Sequence, residues 1–309
     1  MKKTKETSPK RKGNISENGS GKIFKGILDA VLAVAITYLS LIFFQLLMAG
    51  ITGMPAEALS VAVQYFIFVF LWVIVVGFCL LHKNRPILQA IGSKMPGNNW
   101  KNLLLGLAIG FGMNAGCVLL ALLHKDISLH FVRFEPFCFV VIFLAVFIQS
   151  SSEEMLCRVF LYQRLIKNWH PAIAIVGNGL LFSLLHLSNE GMTFLAGLNI
   201  IIVGVLFSLM VYYMDSVWCA MAAHAAWNFT QNIIFGLPNS GSPSAYSVFG
   251  LDASAAKNSF AYDVGFGIEG TWCSTAVILL VIVCIWLWGS KTGRKPSDIW
   301  LMAERRRAK

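Results

Sequence analysis

Eight apolar runs constrain what this chain can fold into. A bilayer core about 30 Å thick is crossed by about 20 apolar residues in a helix. Runs of this order fall at 25–49, 58–81, 102–124, 137–160, 171–187, 193–213, 217–236 and 272–289. The fifth is short, and the fourth overruns its apolar core into charged residues. Charge is scarce elsewhere too: 13% of the 309 residues are charged, against about 25% in soluble domains. The expected fold class is all-α, a polytopic membrane protein built as a bundle of about eight transmembrane helices.

The polar segments set the expected layout. Residues 1–22 form a lysine-rich tail of disordered composition. No small-residue cleavage site follows it, so it does not read as a signal peptide. Residues 23–290 make the membrane domain, with its motifs in 137–236, and 291–309 make a second basic tail. Of the 25 Lys and Arg, the N-terminal tail through Lys25 holds 8, the 82–101 loop 4, the 158–170 segment 3 and the tail from Lys291 7. Lys125, Arg133 and Lys257 remain for the other side. This asymmetry places both termini in the cytoplasm of a plasma-membrane protein. It also accounts for the net charge of +10, so no nucleic-acid partner is expected. The partners are the lipid bilayer and whatever the site binds.

Smaller features have plain readings. The seven cysteines are scattered through apolar segments without a CxxC pair, as small hydrophobes rather than a disulfide framework. Gly106-xxx-Gly110 and Gly112-xxx-Gly116 read as helix-packing surfaces. The 237–270 loop, rich in Pro, Gly and Ser at its start, reads as a linker rather than a lid. The segment Asp298–Arg307 mixes apolar and basic residues and suits either an anionic membrane surface or a stop-transfer tail.

Against that background, Glu153-Glu154-Met155-Leu156-Cys157-Arg158 stands out. Charges inside a bilayer need a partner or a task. Glu154 and Arg158 are spaced i,i+4 and can neutralise each other. Glu153 is turned by about 100° from Glu154 and has no evident partner on its own helix face. A carboxylate in that position is suited to proton transfer, although solvation at the headgroup level would also explain it. Two further motifs place histidines in apolar segments. His186 follows Phe182-Ser183-Leu184-Leu185, and His224 precedes Asn228 by one turn. Trp227, between them, is expected to point elsewhere. Each motif alone is compatible with a hydrogen-bonded packing role. Together, carboxylate, imidazoles and amide are what hydrolysis by an activated water requires: a base, and donors for the oxyanion. Glu153, His186 and His224 could alternatively hold a zinc ion that activates the water. Neither HExxH nor G-x-S-x-G is present, and Ser150, Ser151 and Ser152 read as polar neighbours.

In these three motifs the chain resembles the CPBP family, the CAAX proteases and bacteriocin-processing enzymes also called Abi. The family pattern of EExxxR, FxxxH and HxxxN occurs in order as Glu153-Glu154-xxx-Arg158, Phe182-xxx-His186 and His224-xxx-Asn228. The resemblance covers roughly residues 150–230. Val159 stands where family members commonly have Gly after the Arg. The resemblance implies an intramembrane endopeptidase in which Glu153 and His186 activate water. It implies that His224 and Asn228 stabilise the oxyanion, and that Glu154 with Arg158 orients the site. The family has been described both as metalloproteases and as metal-free glutamate-dependent enzymes, so zinc stays open as a cofactor. The implied partner is a peptide or membrane-protein substrate, in a bacterial plasma membrane.

Two other functions use the same residues differently. A non-catalytic immunity or scaffold protein would bind a peptide without cleaving it. A transporter would use Glu153 as a proton relay, but the inverted repeats and broken helices of transporters are not evident. The shared site also meets a geometric difficulty. Counting depth along full-length spans puts Glu153 near the inner face, and His186 about 22 Å from the inner end of its helix. The boundaries of the fourth and fifth spans must therefore differ from the apolar runs.

Overall fold

A computed structural model describes residues 53–307, apart from His82 and Lys94. The expected basic tail and the first span, 25–49, lie outside the described residues. The other seven runs are all helical. They form α1 (Ala56–Phe66) with α2 (Val69–Leu80), α3 (Trp100–Leu123), α4 (Pro136–Glu154), α6 (Pro171–Leu184), α7 (Phe194–Met214), α8 (Val217–Phe229) and α9 (Trp272–Thr292). A π-helical stretch, Met155–Leu161, joins α4 to α5 (Tyr162–Asn168), so 136–168 is one continuous helix. The last helix is α10 (Ile299–Arg307).

Five of these helices are long and apolar enough to cross a membrane: 56–80, 100–123, 136–168, 194–214 and 272–292. The chain is thus a multi-pass membrane protein. The two shorter helices are shaped by their surroundings. α6 has 14 residues, about 21 Å of rise, and ends two residues before His186. α8 carries His224 and Asn228, and a π-helical end, Thr230–Ile234, adds Gln231 and Asn232. Every residue of α8 except Trp218 is buried. Protein, not lipid, surrounds α8, and that is why it tolerates polar residues.

The approach of α3 to α8 depends on two glycines. A Cβ on Gly106 would lie 2.3 Å from the Cys219 carbonyl oxygen, and one on Gly110 2.1 Å from that of Ala223. Gly112 and Gly116 face open space instead, so only the first of the two expected packing motifs packs. Asn114 Nδ2 donates to Gln231 Oε1 at 2.8 Å and ties the same two elements further along. Because Ala223 precedes His224, α3 sets where α8 presents its histidine. Gly110→Ala is expected to destabilise the fold by about 1–3 kcal/mol, the usual range for overpacking. Gly116→Ala should leave thermal unfolding of the detergent-solubilised protein unchanged.

The loops sort to two ends. At one end the 237–270 loop meets two others. It pairs β2 (Phe249–Leu251) antiparallel with β1 (Leu129–Phe131), with His130 opposite Gly250. It also packs Gly241 and Gly265 against the backbone of Glu190 and Gly191. Strands so short, without alternating polarity, gave no signal in a chain dominated by helical runs. At the other end α10 docks on protein. Ile299 is buried, and Trp300 Nε1 donates to the Gln163 carbonyl at 3.1 Å. The Lys167 ammonium lies 3.9 Å from the Trp300 ring centroid. Neither reading of 298–307 anticipated this docking.

Candidate active site

The turn between α5 and α6 resolves the depth difficulty. Glu153 lies 15 residues before Asn168, and His186 lies 15 after Pro171. Both are therefore about 22 Å from the same turn. The error was to end the fourth span near residue 160. The helix continues to Asn168, so Glu153 lies midway along it.

His186 is aimed by the end of α6. The last carbonyls of a helix lack intrahelical partners, and His186 Nδ1 lies 2.8 Å from the Phe182 carbonyl oxygen. A carbonyl only accepts, so Nδ1 carries the proton and Nε2 offers a lone pair. That Nε2 faces Glu153 Oε2 at 3.7 Å. From α8, His224 Nε2 faces the same oxygen at 3.9 Å. Glu153 Oε2 is buried and has no hydrogen-bond partner. An orphaned buried acceptor of this kind marks a place where another molecule belongs.

Glu154 has a different task. Its Oε1 accepts from Arg158 Nη1 at 3.0 Å, as the i,i+4 spacing predicts, and from His224 Nδ1, also at 3.0 Å. Both members of the pair are fully buried. Arg158 is therefore not a loop cation, as the charge count had it. Its Nη2 donates to the Gly204 carbonyl at 2.9 Å. Its guanidinium lies against Phe182 and Phe207, 4.4 and 5.3 Å from their ring centroids. Phe207 in turn stacks on the His224 ring at 5.2 Å. Carboxylate and ring together fix the imidazole plane. With Nδ1 held by the Glu154 carboxylate, His224 turns its Nε2 into the site.

Four site residues were missed or misread, three of them on helices. Gln149, one turn before Glu153, donates from Nε2 to Glu153 Oε1 in a close contact. Its Oε1 accepts from Asn228 Nδ2 at 3.4 Å and from Ser150 Oγ at 3.0 Å. Glu153 thus does have a partner on its own helix face; i−4 spacing would have found it. Ser150 is more than a polar neighbour, because its Oγ accepts from Asn228 Nδ2 at 3.1 Å. Trp227 does not point away: it lines the same cavity and donates from Nε1 to Glu269 Oε1 at 3.0 Å.

Glu269 comes from the 237–270 loop, which is therefore a roof of the site and not a linker. Its Oε2 also accepts from the Ser240 amide and hydroxyl, at 2.6 and 3.0 Å. Burial raises the Glu269 carboxyl above its ordinary range, while these hydrogen bonds pull it down. Asn199 Nδ2 holds the carbonyls of Glu269 and Thr271 at 2.8 and 2.9 Å. No periodicity predicts a loop residue reaching back over a helix 42 positions away.

Glu153, His186, His224, Asn228, Trp227 and Glu269 border a cavity of about 410 Å³. The donor types of Glu153, His186 and His224 suit zinc, but zinc would draw its ligand atoms to about 3.3 Å of one another. The observed spacings are wider, and among the described residues no group of three or more His, Cys, Asp or Glu is arranged to hold a metal ion. Both π-helical stretches begin at the site, directly after Glu154 and after Phe229. Such insertions are frequent where a helix is adapted to function.

Residues 135–230, from the start of α4 through α8, match the family model Rce1-like, described as type II CAAX prenyl endopeptidase Rce1-like. The matched segment contains all three motifs. No curated protein and no solved structure matches the chain.

Proposed function

We propose that this Rce1-like segment is the catalytic core of a CAAX-type intramembrane endopeptidase that hydrolyses a peptide bond with a water activated by Glu153 and His186. The observation that carries the reading is the convergence of two imidazole Nε2 atoms on the unpartnered Glu153 Oε2 inside a cavity. A water placed before Glu153 Oε2 and His186 Nε2 gives up a proton to this pair. Its oxygen attacks the carbonyl carbon, and the carbonyl π electrons move onto oxygen. The Asn228 Nδ2–H and His224 Nε2–H are the donors available to that oxyanion. When the intermediate collapses, the C–N bond breaks and the retained proton passes to the leaving amine. The products are a carboxylic acid and an amine.

Support for the division of labour comes from the neighbours of each group. His186 bonds through Nδ1 to a neutral carbonyl and turns its Nε2 toward Glu153. His224 bonds through Nδ1 to the Glu154 carboxylate, which holds Nε2 toward the cavity. Glu154 and Arg158 orient, and neither reaches the cavity. No step needs a metal, so cleavage is expected to survive chelation. The charge asymmetry of the loops favours cytoplasmic termini, with the 237–270 roof on the opposite side.

The test is cleavage of a fluorogenic peptide by purified wild type and Glu153→Ala, each with and without chelator. Glu153-dependent, chelator-insensitive cleavage is expected. Equal cleavage by Glu153→Ala would sink the mechanism, and loss with chelator would return the zinc reading. Gln149→Leu frees both Glu153 and Asn228 from their shared amide. It is expected to lower kcat by about 10²-fold, the scale of a small misplacement, with KM little changed.

A further inference from the structure

The roof of the cavity carries a tight turn. Asn239 and Ser242 exchange two backbone hydrogen bonds, each 2.9 Å long. Between them Ser240 and Gly241 both have positive φ, 49° and 84°, as two-residue turns of this kind require. Glu269 holds the Ser240 amide and hydroxyl, and Gly241 packs on the Glu190 backbone. The turn is thereby fixed over the cavity, which Asn239, Ser240 and Ser242 line.

A chain of hydrogen bonds from α1 aims the Asn239 side chain. Asn232 Nδ2 donates to the carbonyls of Leu237 and Ser242, at 3.1 and 3.2 Å, which leaves Asn232 Oδ1 as an acceptor. Tyr65 donates its hydroxyl proton to that Oδ1 at 2.9 Å. The Asn239 side chain meets the same hydroxyl. With its proton given to Asn232, the hydroxyl can only accept there, so Asn239 turns its amino group to Tyr65 and its Oδ1 away. That Oδ1 is buried and has no hydrogen-bond partner.

Among the described residues, two side-chain atoms of the cavity wall are buried and unpartnered: Glu153 Oε2 and Asn239 Oδ1. The first receives the attacking water in the mechanism above. The second has no task in it. A buried acceptor left empty is costly, so it marks a place for a donor. Every peptide that enters brings such donors in its backbone N–H groups, which lose water in the cavity and need acceptors. A donor on a side chain would serve only some sequences.

We propose that Asn239 is a substrate-binding residue whose Oδ1 accepts a backbone N–H of the peptide near the scissile bond, with Tyr65 as the positioning residue that aims it. This rests on the endopeptidase reading and deepens it: the group recognised is main chain, held in register with the carbonyl that faces His224 and Asn228, whatever side chains the peptide carries.

The experiment uses the full-length protein in nanodiscs and the fluorogenic peptide, with its backbone N–H groups replaced one at a time by N–CH3. In wild type, methylation at one position away from the scissile amide is expected to lower kcat/KM by at least about tenfold, the scale of one buried acceptor left unpaired. Asn239→Ala keeps the backbone bonds of the turn. It should raise KM for the unmethylated peptide by about tenfold, and lose less than about twofold on methylation at that position, as a shared interaction requires. Tyr65→Phe should show an intermediate penalty there, while its thermal unfolding stays close to wild type. Methylation penalties that are the same in wild type, Asn239→Ala and Tyr65→Phe at every position would overturn the inference alone. Should Asn239→Ala not accumulate, the Tyr65→Phe comparison decides in the same way. No Glu153-dependent cleavage of the unmethylated peptide would overturn the endopeptidase reading, and this inference with it.

Discussion

Glu153→Gln is expected to lower peptide cleavage by about 10²–10⁴-fold, the range that a positioned general base contributes. The substitution keeps shape and removes the ability to take a proton. Glu153 Oε2 makes no hydrogen bond that the amide would break. Folding should therefore be unaffected, and thermal unfolding of the purified variant should match wild type. A variant that cleaves at the wild-type rate would remove Glu153 from the chemistry. One that fails to fold would show that Glu153 holds the helices together instead.

Arg158→Leu is expected to have the largest effect on stability. It leaves the Glu154 carboxylate fully buried without its cation, and removes the donor to the Gly204 carbonyl at the crossing of α6 and α7. Breaking a buried ion pair from one side costs about 3–5 kcal/mol, a large part of the about 5–15 kcal/mol that holds a typical domain folded. Thermal unfolding should fall sharply or the protein should fail to accumulate. Adding Glu154→Gln removes the stranded charge and should restore much of the stability. It should not restore cleavage, because His224 then lacks the carboxylate that orients its ring. Recovery of both together would mean that Glu154 does not act through His224.

Much of the site was legible from local rules. Glu154 and Arg158 pair as their spacing requires. His224 and Asn228 share the inner face of one helix, as i,i+4 residues must. Helix positions followed from apolar runs, because lipid leaves the backbone no other structure. The misreadings have different causes. The fourth span, expected at 137–160, was stopped near the length that crosses a bilayer, but a helix surrounded by protein can continue, here to Asn168. α8, surrounded by protein, is not among the helices long and apolar enough to cross a membrane. Gln149 was missed although its i−4 spacing to Glu153 is a local pattern. Glu269 and the β1–β2 ribbon depend on contacts between segments over 40 residues apart in the chain.

By itself the sequence determined that the chain is a helical membrane protein, and which of its charged and imidazole groups need explaining. Both follow from transfer free energies and helical geometry, properties of a residue and its near neighbours. Only the tertiary structure decided that Glu153 and His186 stand at one depth. It also decided that a single carboxylate oxygen is shared by two histidines, and that a loop carboxylate roofs the site. Those facts depend on where a helix stops and what packs beside it. Burial within the bundle sets both, and no local pattern encodes it.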